Sequence, residues 1–122
     1  MREVNRVSAQ DCLFCKIISG AIPSNRVYED DDVFAFKDIN PQAPTHVLIV
    51  PKKHIPSVAS LTEADVAVAG KLITVAAGLA DSLGIADRGY RLVVNAGEEG
   101  GQTVNHLHLH LLGGRRFGWP PG

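Results

Sequence analysis

The stretch Asn105-His106-Leu107-His108-Leu109-His110-Leu111-Leu112 carries the strongest fold signal of this chain, because histidine and leucine alternate strictly from His106 to Leu111. Successive side chains of a β-strand point to opposite faces, so the pattern predicts a strand with three imidazoles on one face and leucines on the other. We expect this fifth strand to run over residues 103–112. Imidazole is a nucleophile, a proton carrier and a metal ligand near neutral pH, which makes the histidine face the candidate functional site.

Composition limits the classes of protein to consider. The 122 residues, of which 45% are hydrophobic and 20% charged, predict one soluble domain. Twelve Lys and Arg against thirteen Asp and Glu give a net charge of −1, which argues against nucleic acid or an anionic membrane as partners. No run approaches the roughly 18 apolar residues of a membrane helix, and the start lacks a signal-peptide core. We therefore expect a cytoplasmic protein with a disordered tail over residues 1–10 and a single domain over residues 11–122.

The remaining pattern predicts an α+β fold with an antiparallel sheet of about five strands, one long helix and a short N-terminal helix. The long helix is indicated by apolar residues at three- and four-residue steps, a capping box of Thr62 and Asp65, and Gly84 beyond its end. The expected elements are a short helix over 12–18 capped by Asp11, strands over 26–29, 33–37, 45–50 and 90–95, and the long helix over 62–83.

A separate stripe of the long helix carries small residues. Gly70, Thr74 and Gly78 lie four residues apart on it. Because glycine inside a helix costs about 1 kcal/mol relative to alanine, this glycine stripe suggests a second closely packed surface, such as contact with a twin subunit. Simple tolerance of glycine is the alternative.

Several loop residues have more than one interpretation. Asp38 follows the strand that contains Phe36, so its carboxylate could hold the two hydroxyls of a ribose or merely cap the loop. The glycine-rich segment 96–102 could nest an anion, although a mobile hairpin loop is the more common outcome. The acidic run 30–32 is typical of a solvated hairpin tip, and His46 taken alone is more often a rim histidine than a catalyst.

Two kinds of chemistry suit the histidine face. A rise of about 3.3 Å per residue puts the Cα atoms of His106 and His110 roughly 13 Å apart, too far for both to bind one ion comfortably, so a zinc hydrolase is the second choice. The first choice is covalent catalysis at phosphorus by one imidazole, whose Nδ1–H is held by a backbone carbonyl. The C-x-x-C spacing of Cys12 and Cys15 favours a metal knuckle or a redox pair over a structural disulfide.

The segment His106 to Leu112 resembles the H-φ-H-φ-H-φ-φ signature of the histidine-triad (HIT) superfamily, and other segments resemble its HINT branch. Those segments are FCKII from Phe14, FKDINPQAPTH from Phe36, VPKKH from Val50, YRLVVN from Tyr90, GGQTV from Gly100 and the final LGGRRFGWPPG. The resemblance implies a hydrolase that cleaves the P–N bond of purine nucleoside 5′-phosphoramidates, of the adenosine 5′-monophosphoramidate type. Hydrolysis of dinucleoside polyphosphates and a non-catalytic nucleotide-binding or scaffold role are the alternatives.

The resemblance also implies roles for individual catalytic residues. His108 would attack the α-phosphorus and form a nucleotidyl-histidine intermediate, which water would then cleave. His110 and His46 would flank the phosphate. Thr103 would assist the leaving group at a position where the family commonly has serine, and threonine keeps the hydroxyl.

The same resemblance implies the nucleotide contacts and the assembly. Asp38 would hold the ribose hydroxyls, and Asn95 would contact the phosphate. The other expected contacts are Phe14, Ile17, Phe36, Lys37, Ile39, Gly101, Gln102 and Trp119. Members of the branch are typically homodimers with the long helix at the interface, and the C-terminal tail with Trp119 would reach the partner's site.

Some related microbial proteins hold a structural zinc, and the resemblance transfers that site by position. The implied ligands are Cys12, Cys15, His54 and His106, a set of two thiolates and two imidazoles that suits tetrahedral zinc. Such a site would tie the first helix to the histidine strand and give His106 a task distinct from that of His108. A pair of buried thiols without metal is the alternative, and the chemistry itself requires no metal.

Overall fold

A computed structural model describes residues 11–122, and the tail expected over residues 1–10 lies outside the described part. The fold is α+β, as expected. Two 3₁₀ turns, Val58–Ser60 and Glu63–Asp65, precede the long helix. The remaining elements in chain order are α1 (Leu13–Ser19), β1 (Arg26–Glu29), β2 (Val33–Lys37), β3 (Thr45–Pro51), α2 (Val66–Ser82), β4 (Tyr90–Val93), α3 (Gly97–Gly100) and β5 (Leu109–Gly113).

The five strands form one antiparallel sheet in the order β1-β2-β3-β5-β4. A buried cluster that includes Val47, Ile49 and Leu111 fills one face, on which α2 packs. On the other face Phe34, Phe36, Leu48 and Val50 pack against Phe14 and Ile17 of α1. Directly paired residues of an antiparallel sheet point to the same face, and His110 pairs with Leu48. The histidine side of β5 is therefore the α1 face.

The fifth strand is shorter than expected. It begins at Leu109 rather than at residue 103, so His106 and His108 precede the ladder. The preceding segment makes its backbone contacts elsewhere, since the Leu107 N–H donates to the Ile55 carbonyl at 2.6 Å. The alternation still holds in space, because Leu107 joins the core under α2 while His106 and His108 are buried outside it.

Other features also differ from the prediction, and β4 ends at Val93 rather than at residue 95. Cys12, not Asp11, caps α1, because the Cys12 sulfur accepts from the N–H of Cys15 at 3.3 Å. Segment 96–102 contains the short helix α3 rather than an open hairpin loop. The capping box at Thr62 closes the 3₁₀ turn, and α2 itself starts only at Val66.

The acidic run 30–32 forms the turn between β1 and β2, as expected. Asp30 accepts from the backbone N–H groups of Asp32 and Val33, both at 2.8 Å. Lys71 of α2 forms ion pairs with Asp30 and Asp32, each at 3.0 Å. The turn is therefore tied to the long helix. The Tyr28 hydroxyl, which donates to Asp30 at 2.6 Å, together with these bonds holds the pKa of Asp30 well below its usual range.

The glycine stripe of α2 is bare within the described residues. A Cβ built at Gly70 or Gly78 would meet nothing within 4 Å. Val66 and Ile73 are 67% and 49% exposed on the same helix, so its outer side is partly apolar. A partner on this surface stays a prediction. Within residues 11–122, no helix combines the length and the apolar character that crossing a bilayer requires.

Gly113 offers a test of the packing between β5 and the segment that follows α2. A Cβ at Gly113 would lie 2.5 Å from Cδ1 and 3.0 Å from Cβ of Ile85, a buried side chain. We expect Gly113→Ala to lower the free energy of unfolding by about 1–3 kcal/mol through overpacking, measured by urea denaturation. Ile85→Val removes the nearest atom and should recover part of the loss in the double variant. An unchanged midpoint for Gly113→Ala would contradict this account.

Candidate active site

His46 and His110 meet across the β3–β5 ladder. His46 pairs with Leu112 and His110 pairs with Leu48, so the two imidazoles lie one step apart on the α1 face. His46 Nε2 is 2.9 Å from His110 Nδ1. Asp38, at the end of β2, places Oδ2 3.5 Å from His46 Nε2. The ring of His108 lies 5.0 Å from that of His110, which brings all three histidines together.

The hydrogen bonds determine the tautomers of two of these rings. The backbone N–H of Gln42 donates to His46 Nδ1 at 3.0 Å, so that nitrogen is an acceptor and neutral His46 carries its proton on Nε2. That proton is donated to His110 Nδ1. Neutral His110 then carries its proton on Nε2, which is buried without a partner among residues 11–122. The chain therefore presents an unused N–H donor in the site.

His108 carries its proton on Nδ1, unlike His46 and His110. Its Nδ1–H donates to the backbone carbonyl of His106 at 2.7 Å, which leaves a lone pair on Nε2. Its side chain is buried, and the edge of the Phe14 ring lies 5.2 Å from its own ring. A nucleophilic nitrogen thus stands beside the N–H donor of His110, which is the arrangement that covalent catalysis at phosphorus requires.

Burial keeps the neighbouring imidazoles neutral at pH 7. Burial, followed by repulsion from His108 and His46, lowers the pKa of His110 to about 4. Burial also lowers the pKa of His46, and the nearby carboxylate of Asp38 offsets part of that shift. Both rings therefore act as neutral hydrogen-bonding groups rather than as cations.

The predicted nucleoside contacts fall into two groups. Phe14, Ile17 and Phe36 are buried together on the α1 face, with the Phe14 and Phe36 rings 5.4 Å apart beside His108. Ile39 and Trp119 are instead 97% and 86% exposed. No other residue of the described part of the chain therefore buries these two large apolar side chains.

The tail that carries Trp119 lies across β4. Arg91 donates to the Gly118 carbonyl at 2.7 Å, and the guanidinium groups of Arg91 and Arg115 stack on the Phe117 ring at 5.3 and 4.2 Å. Arg115 also donates to the Gln42 carbonyl at 3.0 Å, so the tail touches the loop that orients His46.

The other predicted contacts lie in loops or at strand ends. Asn95 follows β4 two residues after Val93, which pairs with His110, and Thr103 is exposed. The N–H groups of Gly101 and Gln102 donate to carbonyls of α3, and the Gln102 amide bonds three further backbone groups. Lys37 pairs with Val47, which lies on the α2 face of the sheet. Lys37 therefore lies on that face too, away from the histidines.

A second cluster, the Cys/His cluster, consists of Cys12, Cys15, His54 and His106. Its four ligand atoms lie within 4.8 Å of one another. His106 Nδ1 is 3.3 Å from the Cys12 sulfur and 3.6 Å from the Cys15 sulfur, and His54 Nδ1 is 3.3 Å from the Cys15 sulfur. Sulfur and nitrogen ligands of one tetrahedral zinc ion are separated by about 3.6 Å, so the donor set and its spacing fit this metal.

The surroundings of the Cys/His cluster support the same interpretation. His106 Nε2 donates to the Pro51 carbonyl at 2.8 Å, which leaves Nδ1 free to bind, as a second-shell bond does for a metal ligand. Burial and the adjacent Cys12 raise the pKa of Cys15 to about 11, so this thiol would need a cation to become a thiolate near neutral pH.

The sequence did not identify two backbone groups in the site. The Gln42 N–H orients His46, and the Pro51 carbonyl orients His106. Backbone groups carry no residue-type signature, so the only available signal was the position of these residues beside the predicted histidines.

Comparison with known proteins assigns the family. The HIT domain model matches residues 19–117, and the chain therefore belongs to the HIT family. An uncharacterized HIT-like protein from Synechocystis is 56% identical over 93% of this chain and 99% of that protein. The purine nucleoside phosphoramidase of Escherichia coli K12 is 52% identical over 90% of this chain and 92% of that protein.

Solved structures agree with the fold. A HIT family hydrolase from Legionella pneumophila superposes with a TM-score of 0.89 at 51% identity, over 91% of this chain and 99% of that chain. A HIT family hydrolase from Clostridium thermocellum superposes with a TM-score of 0.87 at 50% identity, over 89% of this chain and 95% of that chain. The predicted family, fold class and assignment as an enzyme are thereby confirmed.

The lowered pKa values predict a pH dependence of stability. The unfolded chain binds a proton on each histidine near pH 6.5, whereas folded His110 stays neutral down to about 4, so folding becomes less favourable as the pH falls through this window. We expect His110→Gln to remove on the order of 1 kcal/mol of the stability loss between pH 7 and pH 5. Urea unfolding at both pH values measures this loss of stability. An equal loss in the native protein and in His110→Gln would contradict the prediction.

Proposed function

We propose that the protein hydrolyses the P–N bond of purine nucleoside 5′-phosphoramidates through a covalent nucleotidyl intermediate on His108. The observation that carries this proposal is the lone pair on His108 Nε2 beside the Nε2–H of His110, which has no partner among residues 11–122. The name of the Escherichia coli relative, purine nucleoside phosphoramidase, supports the substrate class.

In the first step His108 Nε2 attacks the α-phosphorus and the P–N bond breaks. The leaving nitrogen takes the bonding electron pair and a proton that the Thr103 hydroxyl relays from solvent. The Nε2–H of His110 donates to a phosphoryl oxygen, where negative charge develops. The new bond makes the His108 ring cationic, and its Nδ1–H already points at the His106 carbonyl, which stabilises this charge.

In the second step water attacks the phosphorus and loses a proton to solvent, and the bond to His108 breaks with its electron pair returning to Nε2. The products are the nucleoside monophosphate and neutral His108. His46 acts through His110 rather than on the substrate, since its Nε2–H occupies His110 Nδ1 and thereby keeps the His110 proton on the side that faces the phosphate.

The nucleoside occupies the α1 face in this proposal. Phe14, Ile17 and Phe36 supply an apolar wall beside His108, and Asp38 accepts from the ribose hydroxyls. Asn95 contacts the phosphate from the end of β4. Contacts with Lys37, Ile39, Gly101, Gln102 and Trp119 stay predictions.

The assembly and its metal belong to the same proposal. In a homodimer the two copies would cover the glycine stripe and the outer apolar side of α2. The tail with Trp119 would reach the partner's site. Light scattering on the intact protein tests this homodimer. The Cys/His cluster would hold a structural zinc, which would supply cross-linking and no step of the reaction. A cytoplasmic location stays a prediction.

His108→Asn tests the mechanism. Asparagine keeps a polar side chain of similar reach but has no nucleophilic nitrogen, so turnover of adenosine 5′-monophosphoramidate should fall by at least about 10⁴-fold. Binding of adenosine monophosphate, measured by calorimetry, should change by less than about tenfold. Rapid quenching of the native enzyme should trap a labelled nucleotidyl-protein that the variant lacks.

The same turnover assay, applied to a panel of phosphoramidates and dinucleoside polyphosphates, identifies the preferred class of substrate. Phosphoramidates should be turned over faster than dinucleoside polyphosphates by the native enzyme. Full activity of His108→Asn would overturn the covalent mechanism, and the reverse order of substrates would assign the alternative hydrolase activity.

Metal content tests the Cys/His cluster. Protein purified without chelator should contain about one zinc per chain, and the Cys12→Ser/Cys15→Ser double variant should contain much less. Zinc binding to a thiolate pair releases protons, so the affinity should rise with pH. Less than about 0.1 zinc per chain in the native protein, measured by mass spectrometry of the metal, would leave the pair as plain buried thiols.

A further inference from the structure

We propose that a groove lined by four arginines binds a chain of linked phosphate groups, at a site separate from the histidines. The groove lies between the segment that joins α2 to β4 and the tail that follows β5, and its volume is about 530 Å³. We call it the arginine groove after the lining residues Arg88, Arg91, Arg115, Arg116 and Phe117. No residue proposed above to contact the nucleotide or the metal ion lines it.

Unpaired positive charge is concentrated in the arginine groove. Ten of the twelve Lys and Arg residues lie within residues 11–122, and four of those ten line the groove, whereas no Asp or Glu of this part of the chain does. None of the four arginines forms an ion pair with a carboxylate of residues 12–122. Carboxylate partners at 2.7–3.0 Å belong instead to cations outside the groove, namely Arg26, Lys52, Lys53 and Lys71. The positive field of the groove is therefore available to an anionic ligand.

The guanidinium groups keep hydrogen-bond donors for such a ligand. Arg91 donates to one backbone carbonyl at 2.7 Å, and Arg115 donates to two at 3.0 Å. A guanidinium group has five N–H donors, so both arginines retain several. The exposed side chains of Arg88 and Arg116 form no hydrogen bond with residues 12–122. All four arginines can therefore donate charge-assisted hydrogen bonds to phosphate oxygens.

The backbone of both walls of the groove is held by the end of the sheet. Tyr90, the first residue of β4, pairs with Gly113, the last residue of β5, so the two walls start side by side. Ile85 is buried and packs on Gly113 so closely that a Cβ there would lie 2.5 Å from its Cδ1. The tail turns at Gly114, whose φ is +91° and where a Cβ would lie 2.9 Å from that of Pro44. A preformed groove reduces the ordering cost of binding.

The lining favours a phosphate chain over an acidic peptide. Peptides and proteins bind tightly where apolar or aromatic side chains fill pockets. In this groove Ile85 is buried, and the Phe117 ring is stacked by the guanidinium groups of Arg91 and Arg115 at 5.3 and 4.2 Å. The ring thus positions two arginines instead of offering an apolar anchor. Recognition is left to charge and to forked N–H donors, which match the paired oxygens of successive phosphate groups.

Calorimetric titration of the intact protein with inorganic tripolyphosphate tests the site, with adenosine monophosphate present to occupy the histidine site. We expect one binding site per chain with a Kd below about 1 mM at low salt. The affinity should fall as the salt concentration rises, because the attraction is between exposed charges. Arg88→Gln/Arg116→Gln removes two charged donors and should weaken binding by at least about tenfold. Orthophosphate reaches fewer guanidinium groups and should bind at least about tenfold more weakly than tripolyphosphate.

A matched variant separates a local site from an effect of net charge. Lys16→Gln/Arg26→Gln removes the same charge from two exposed cations outside the groove and should keep the tripolyphosphate affinity within about twofold. Adenosine triphosphate in the same titration distinguishes two sources of the ligand. Binding of both compounds, with equal losses in Arg88→Gln/Arg116→Gln, assigns the site to any phosphate chain, and binding of tripolyphosphate alone assigns it to a free inorganic chain.

Four results would overturn the phosphate site. They are the absence of saturable tripolyphosphate binding, its abolition by adenosine monophosphate, an equal weakening in the two double variants, and an orthophosphate affinity equal to that for tripolyphosphate. Tighter binding of a short polyglutamate peptide than of tripolyphosphate would also overturn it and would assign the groove to an acidic peptide. The proposed function does not depend on these results, because turnover by His108→Asn tests it separately.

Discussion

The antiparallel pairing of β3 with β5 is the constraint on which the site depends. It sets His110 opposite Leu48 and His46 opposite Leu112, so imidazoles from strands that are distant in sequence share one face. A shift of β5 by one residue relative to β3 would turn the His110 ring toward the apolar core under α2 and separate it from His46. The leucines that alternate with the histidines prevent such a slip, because Leu107, Leu109 and Leu111 are nearly fully buried on the opposite side.

Within this sheet the site contains two chains of hydrogen bonds, and both end where the substrate is proposed to bind. One begins at the Gln42 N–H and passes through His46 to His110, whose Nε2–H has no acceptor in the described part of the chain. The other consists of the His106 carbonyl and the Nδ1–H of His108, which ends with a free lone pair. A donor on the neutral His110 ring beside a nucleophile complements an anionic phosphoryl group without requiring a buried cation.

Much of this was accessible from the sequence, where local pattern and chemistry agree. The bounds of β1 and β2 match the alternation of residues 26–29 and 33–37, and the grouping of His54 and His106 with the two cysteines is the one that the resemblance to the HIT family implied. What escaped prediction depends on tertiary contacts. The late start of β5 follows from the bond between Leu107 and Ile55, and the cap of α1 is a cysteine sulfur, which propensity rules do not favour. The Gln42 and Pro51 backbone groups carry no side-chain signal.

The shortness of α1 has a consequence for ligand binding. A helix of seven residues is far shorter than the roughly 12–15 residues that persist alone in water, so α1 exists only through what it packs against. Its apolar side holds Phe14 and Ile17 against the sheet, while Cys12 and Cys15 at its N-terminal end lie in the Cys/His cluster. A ligand at either end therefore shares one folding equilibrium with the other. The proposed nucleotide and metal ion should each raise the affinity for the other by the same factor, a thermodynamic linkage carried by about two turns of helix.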